Sequence, residues 1–132
     1  MRETLLQLVL WSIALYHFLM GLGVLISERA AERLADRVFG IKLVLAPQTS
    51  YIVKLLGVYT AIFGVVVGIA AVDPGRHPDL LNVVVLLYAL RIANKLAYRK
   101  LFNEAFAATQ TRVWTDLTLL AFFGLSVLLL KP

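Results

Sequence analysis

The chain has 132 residues, 61% of them hydrophobic, and a mean hydropathy of +0.84; soluble domains are usually about 45–50% apolar, so an ordinary soluble domain is excluded. The net charge of +5 and the pI near 9.8 would suit nucleic acid in a soluble protein. Here the basic residues cluster where apolar runs end, so no nucleic-acid partner is expected, and membrane topology with anionic headgroups accounts for them. Cysteine is absent, which excludes disulfides, thiolate metal sites, cysteine nucleophiles and dithiol redox chemistry.

A bilayer span needs about 20 mainly apolar residues, and four such runs, about residues 5–26, 51–72, 80–98 and 113–130, occupy nearly the whole chain. The expected fold is all-α: one transmembrane domain over residues 1–132, an integral membrane four-helix antiparallel bundle with an amphipathic interfacial segment between spans 1 and 2. The first run, Leu5 to Ile26, exceeds the usual signal-peptide core of about 7–15 residues, and Ser27-Glu-Arg-Ala follows in place of a cleavage site. It reads as a retained span.

From Glu28 to Phe39, Ala30, Leu34, Val38 and Ile41 recur at helical spacing against Glu28, Arg29, Glu32, Arg33, Asp36 and Arg37. Such a segment lies along a headgroup region. Gly40 is expected to end it and Pro47 to break the short apolar stretch that follows. In the second span Gly57, Ala61, Gly64 and Gly68 fall on one stripe, and stripes of small residues let helix backbones approach closely in lipid. Asp73-Pro-Gly-Arg-His-Pro-Asp79 is a tight turn, with Asp79 placed to cap the third span. Arg99 to Arg112 forms the third connection, helical through Phe106, and Trp114 marks an interface at the start of the fourth span.

Arg29, Arg33, Arg37, Lys42 and Lys54 flank the first connection, and Arg91, Lys95, Arg99, Lys100 and Arg112 surround the third; only Arg2, Arg76 and Lys131 lie elsewhere. Short loops rich in Lys and Arg stay in the cytoplasm. This distribution predicts a multi-pass protein of a bacterial or archaeal plasma (inner) membrane, with both termini outside and the first and third connections inside.

Arg91 is out of place for a topology signal, because it lies roughly 12 Å inward from the end of its helix at about 1.5 Å per residue. An intramembrane Arg costs at least about 2.5 kcal/mol on insertion scales and normally faces protein or a polar cavity. Tyr88, Arg91, Lys95 and Tyr98 share a helix face, which Asn94 adjoins. The same arithmetic puts His17 and Tyr59 at roughly 12–14 Å, so Tyr16, His17, Tyr59, Thr60 and Arg91 are expected in one layer. Nearer the basic loops, Lys54, Lys95 and Asp116 form an ion-pair layer in which Asp116 serves Lys95 or Lys54. The deeper layer, with Tyr88 and Asn94, is a candidate seat for a polar headgroup such as a quinone ring or an isoprenoid phosphate. In the competing reading, Arg91 reaches toward the interface and bonds Tyr side chains only to fix helix packing.

Other chemistries find little support. His17 invites haem, but His77, the only other histidine, lies in the distant turn, roughly 18 Å away along the helix, so the two cannot ligate one iron; no metal site is expected. No acidic pair lies within a span and no Ser/His/Asp set assembles at one depth, so no catalytic residue is assigned. Asp73 and Asp79 flank a turn and read as turn or capping residues.

Tyr16-His-Phe-Leu-Met-Gly-Leu-Gly-Val-Leu-Ile26 and Tyr51-Ile-Val-Lys-Leu-Leu-Gly-Val-Tyr59 resemble the small four-span DoxX-like and BphX-like membrane proteins over nearly the whole chain. The resemblance implies an accessory membrane subunit in a setting of quinone-dependent oxidation or aromatic degradation, and it transfers no catalytic residue. The expected function is therefore a non-catalytic membrane subunit or binder of a small amphiphile, with quinone as one conceivable cofactor. The partners would be the lipid bilayer and a homo-oligomer or membrane redox protein. A purely structural or oligomerising protein, and a small-molecule transporter acting as an oligomer, are the alternatives.

Overall fold

Capping chemistry divides the chain into helices that run beyond the apolar stretches. The computed structural model describes residues 1–132 and is all-helical, with no strand. Its helices are α1 (Arg2–Ile26), α2 (Glu28–Leu34), α3 (Pro47–Val72), α4 (Pro78–Ala97), α5 (Arg99–Phe106) and α6 (Gln110–Leu130); a π-helical turn (Ala35–Phe39) follows α2 and a 3-10 turn (Pro74–Arg76) precedes α4. The helices α1, α3, α4 and α6 are long and apolar enough to cross a membrane.

Ser27 is extended (φ −148°, ψ 129°), which ends α1, and its hydroxyl accepts from Ala30 N–H at 3.4 Å to start α2. Thus the segment expected as one amphipathic element is α2 plus the π turn. Gly40 stops it in the left-handed region (φ 63°, ψ 31°), a conformation costly for residues with a Cβ. Pro47 occupies the first turn of α3, where its missing N–H is no loss, so α3 starts one turn before Tyr51. Thr109 caps α6 by accepting from Arg112 N–H at 3.4 Å. Asp79 lies inside the first turn of α4 and does not cap it, because the helix already begins at Pro78 behind His77; Asp73 instead accepts from Arg76 N–H within the 3-10 turn.

Two helix pairs make the body: α1 on α3 and α4 on α6, joined chiefly through α1 and α6. The first pair meets backbone to backbone. A Cβ added at Gly64 would stand 2.5 Å from Phe18 N and 2.8 Å from Ala14 O, and one added at Gly21 would stand 2.6 Å from Gly57 O. Gly68 is different, because a Cβ there meets only Ala14 Cβ at 3.8 Å and Trp11 at 3.9 Å.

At one end of the molecule Arg2 donates to Leu129 O (2.7 Å) and Lys131 O (3.0 Å), Gln7 donates to Val72 O (3.3 Å), and Lys131 Nζ donates to Asn82 Oδ1 (2.7 Å). This end holds both termini. It also holds most of the buried core: Leu6, Leu10 and Ile13 of α1, Val67, Ala70 and Ala71 of α3, and Leu81 and Val84 of α4 belong to one cluster, which α6 completes with Leu120 and Val127. Toward the other end, where the basic connections lie, the interhelical space opens into clefts. The body is a wedge, sealed at the terminal end.

Overpacking a closed interface typically costs about 1–3 kcal/mol. Gly64→Ala is therefore expected to lower unfolding stability in detergent by about that amount, and Gly68→Ala to stay within about 0.5 kcal/mol of wild type. Equal effects from the two, measured by denaturant titration of helicity, would contradict the backbone contact.

Candidate functional site

His17 projects from α1 beside the glycine contact and is buried, 4% exposed. Three aromatic rings enclose it edge-on, with centroids at 4.9 Å (Phe63), 5.1 Å (Tyr16) and 6.3 Å (Tyr88). Its Nδ1 lies 2.8 Å from Ile13 O. A carbonyl oxygen only accepts, so Nδ1 carries the proton and Nε2 presents a lone pair. Arg91 Nη1 donates to that lone pair across 3.4 Å from α4. A neutral imidazole is the state that this geometry requires, since an imidazolium would turn a second N–H toward the guanidinium.

Arg91 forms no ion pair; the salt bridges of the molecule are Lys54–Glu28, Arg76–Asp73 and Lys95–Asp116. A guanidinium has five N–H donors, and the His17 contact engages one of them. Arg91 lines both principal clefts. The first, about 730 Å³, runs between α1, α3 and α4 over the α2 segment; its wall is mostly apolar, with Met20, Val24, Ile52, Val53, Leu56 and Leu87, and its polar groups are Tyr16, His17, Thr49, Tyr59, Thr60 and Arg91. The second, about 700 Å³, lies between α4, α5 and α6 and contains Asn94, Lys95, Tyr98 and Asp116. Phe39, Ile41, Phe106 and Arg91 border both.

The structure brings Tyr16, His17, Tyr59, Thr60 and Arg91 to the first cleft, and it puts Asn94 on the second. Their roles there differ. The Thr60 hydroxyl donates to Leu56 O at 2.8 Å, so only its oxygen lone pairs remain free. Tyr59 is 62% exposed and stands at the rim, whereas Tyr88 is 3% exposed and lies in the core behind His17 rather than on a cleft wall. Of the two partners considered for Asp116, Lys95 takes it, and the same ammonium sits 5.0 Å from the Phe102 ring centroid. Lys54 lies 3.8 Å from Glu28, which also accepts from the Ser50 hydroxyl. An exposed ion pair of that kind contributes little.

Several contributors are not evident from the sequence pattern. Phe39, Ile41 and Phe106 come from the connections, and of these only Ile41 lies on the apolar face read from the sequence. Phe63 has no distinguishing mark within an apolar run. Gly21 stands one turn beyond His17 on α1, and only the close approach of α3 gives it a role. No group of three or more His, Asp or Glu side chains is placed to hold a metal ion, and the Nε2 of His17 is already directed at Arg91.

No family model, curated protein or solved structure matches the chain.

Lys95 and Asp116 are shielded, with side chains 14% and 23% exposed. Removing one member of a buried pair is far more damaging than replacing both, at about 3–5 kcal/mol when burial is complete. Asp116→Ala and Lys95→Ala are each expected to cost about 1–3 kcal/mol at this partial burial, and Lys95→Met combined with Asp116→Leu less than either. A double-mutant cycle in detergent that returns no coupling would show the pair to be energetically idle.

Proposed function

We propose that this protein is a multi-pass membrane protein, an antiparallel four-helix bundle that binds a small amphiphile in its intramembrane cleft without catalysing a reaction. The observation that carries the reading is Arg91, a cation without a carboxylate partner that lines a mostly apolar cleft of about 730 Å³. Ligand sites are usually concave and mostly apolar, with a few convergent polar groups, and intramembrane cations generally mark a functional site.

The membrane setting is supported by the outer surface. Exposed large side chains include Leu8, Leu15 and Leu19 on α1, Ile62, Val65 and Ile69 on α3, Leu86 and Leu90 on α4, and Phe122, Leu125 and Leu129 on α6. In water such a surface would aggregate, whereas hydrocarbon leaves it without penalty. The proposed orientation puts the terminal end outside and the Lys- and Arg-rich end in the cytoplasm of a bacterial or archaeal cell. The cleft then opens toward the cytoplasmic leaflet. The resemblance to DoxX-like and BphX-like proteins adds a quinone-linked membrane complex as a proposed partner.

A second reading, a purely structural protein, is favoured by the Arg91–His17 hydrogen bond, which ties α4 to α1. The two readings separate by native mass spectrometry after gentle purification. Wild type is expected to retain a small molecule that Arg91→Ala loses. If neither retains one, while Arg91→Leu and Gly64→Leu both impair assembly, the structural reading stands.

The orientation has its own test. A reporter fused after Pro132 and another inserted between Phe106 and Gln110 are expected on opposite sides, the first outside. A cytoplasmic C-terminus would reverse the arrangement and with it the leaflet to which the cleft opens.

A further inference from the structure

Resting on the amphiphile reading, we infer that the ligand carries a monoanionic head, a carboxylate or a phosphodiester, seated on Arg91 between the two clefts, with its tail in the apolar one. Charge decides this. The charged side chains lining either cleft are Arg91, Lys95 and Asp116, and Lys95 with Asp116 forms a mutually neutralising pair. One positive charge is left over. A neutral head would leave that charge uncompensated in a low-dielectric surround, and a dianion would import an excess charge of its own; either is costly when unpaired. A monoanion closes the balance.

Geometry agrees with the charge. The guanidinium fork matches the paired oxygens of a carboxylate or phosphodiester, and four of its five donors are not engaged by His17. His17 cannot compete for the head, because its Nδ1–H is held by Ile13 O and its Nε2 accepts from Arg91. The imidazole therefore holds the guanidinium in place and leaves anion binding to it. On the tail side, the α3 wall of the apolar cleft runs from Thr49 to Phe63, about 20 Å of helix, and none of the α3 residues that line it is charged, Lys54 lying off the wall.

The experiment measures binding of single-chain probes to the purified protein in a neutral detergent at alkaline pH. Hexadecanoate is expected to bind about tenfold or more tightly than hexadecanol, the worth of one charge-assisted contact. Arg91→Gln should abolish that preference and Arg91→Lys should keep part of it, and helicity unchanged from wild type in both separates loss of charge from loss of fold. Asp116→Asn removes the neutralising carboxylate and should shift preference from hexadecanoate toward hexadecyl phosphate. Lysophosphatidylglycerol supplies the phosphodiester: binding by it alone points to a lipid headgroup, binding by hexadecanoate alone to a free carboxylate, and either supports the monoanionic seat. If hexadecanol or a short-chain quinone binds as tightly as both anions and Arg91→Gln changes nothing, the monoanion inference is overturned while the amphiphile reading survives. If no probe binds, both fall.

Discussion

The backbone contact between α1 and α3 is the constraint from which the remaining packing follows. Gly21, Gly57, Ala61 and Gly64 leave no room for longer side chains between the two helices. In the proposed membrane setting, where apolar side chains would gain little by leaving hydrocarbon, such close van der Waals contact would replace the hydrophobic effect as the driving force. The helices α4 and α6 make the second pair, packed on the first chiefly through α1 and α6. The 3-10 turn between α3 and α4 is three residues long, Pro74–Arg76, so these helices are held together at the terminal end. There the shared core of Val67, Ala70, Ala71, Leu81 and Val84 forms. At the opposite end nothing comparable binds α3 to α4, and the clefts occupy the divergence.

The polar layer sits where the wedge begins to open. His17 lies between Ala14 and Gly21 near the face of α1 that meets α3, and its ring is held by Ile13 O and Phe63 as well as by Tyr88 and Arg91 of α4. Lys95 and Arg91 stand one helical turn apart on α4, yet they are treated differently. Lys95 is neutralised by Asp116; Arg91 meets only a neutral imidazole at 3.4 Å. Burial of an Arg in a membrane costs at least about 2.5 kcal/mol, and one long hydrogen bond to a neutral acceptor offsets only part of that. In the proposed membrane setting a chain selected for packing alone would do better with an apolar residue at this position, and that deficit is the ground of the proposed ligand site.

Depth along each helix was legible in the sequence, whereas azimuth was not. Counting residues inward puts Tyr16, His17, Tyr59, Thr60 and Arg91 at one expected level, and all five line one cleft. The same count could not tell that Tyr88 turns into the core while Tyr59 stands 62% exposed at the rim, because the direction of a side chain matters only relative to a neighbouring helix. The four apolar runs were readable for the reason that composition is a local property. Their ends were not, since Arg2, Glu3 and Thr4 continue α1 and Gln110, Thr111 and Arg112 open α6 without any apolar signal. Lys54 illustrates a third limit: its pairing with Glu28 depends on how α2 folds back, which Ser27 determines through an extended backbone.

The connection between α2 and α3 closes the argument about access. Arg112 of α6 donates from Nη1 to Arg37 O at 3.0 Å, and its side chain lies where a Cβ on Gly40 would stand 2.9 Å from Cγ. Gly40 is therefore required twice, by its left-handed backbone and by the cation that crosses it. This clasp sets the position of Phe39 and Ile41, which together with Phe106 separate the apolar cleft from the one containing Lys95 and Asp116. The basic residues at this end have structural roles: Arg112 anchors the partition, Lys95 balances Asp116 beside it, and Arg91 borders both clefts. An amphiphile entering from the open end would meet its tail's surroundings and its head's counter-charge at the same partition.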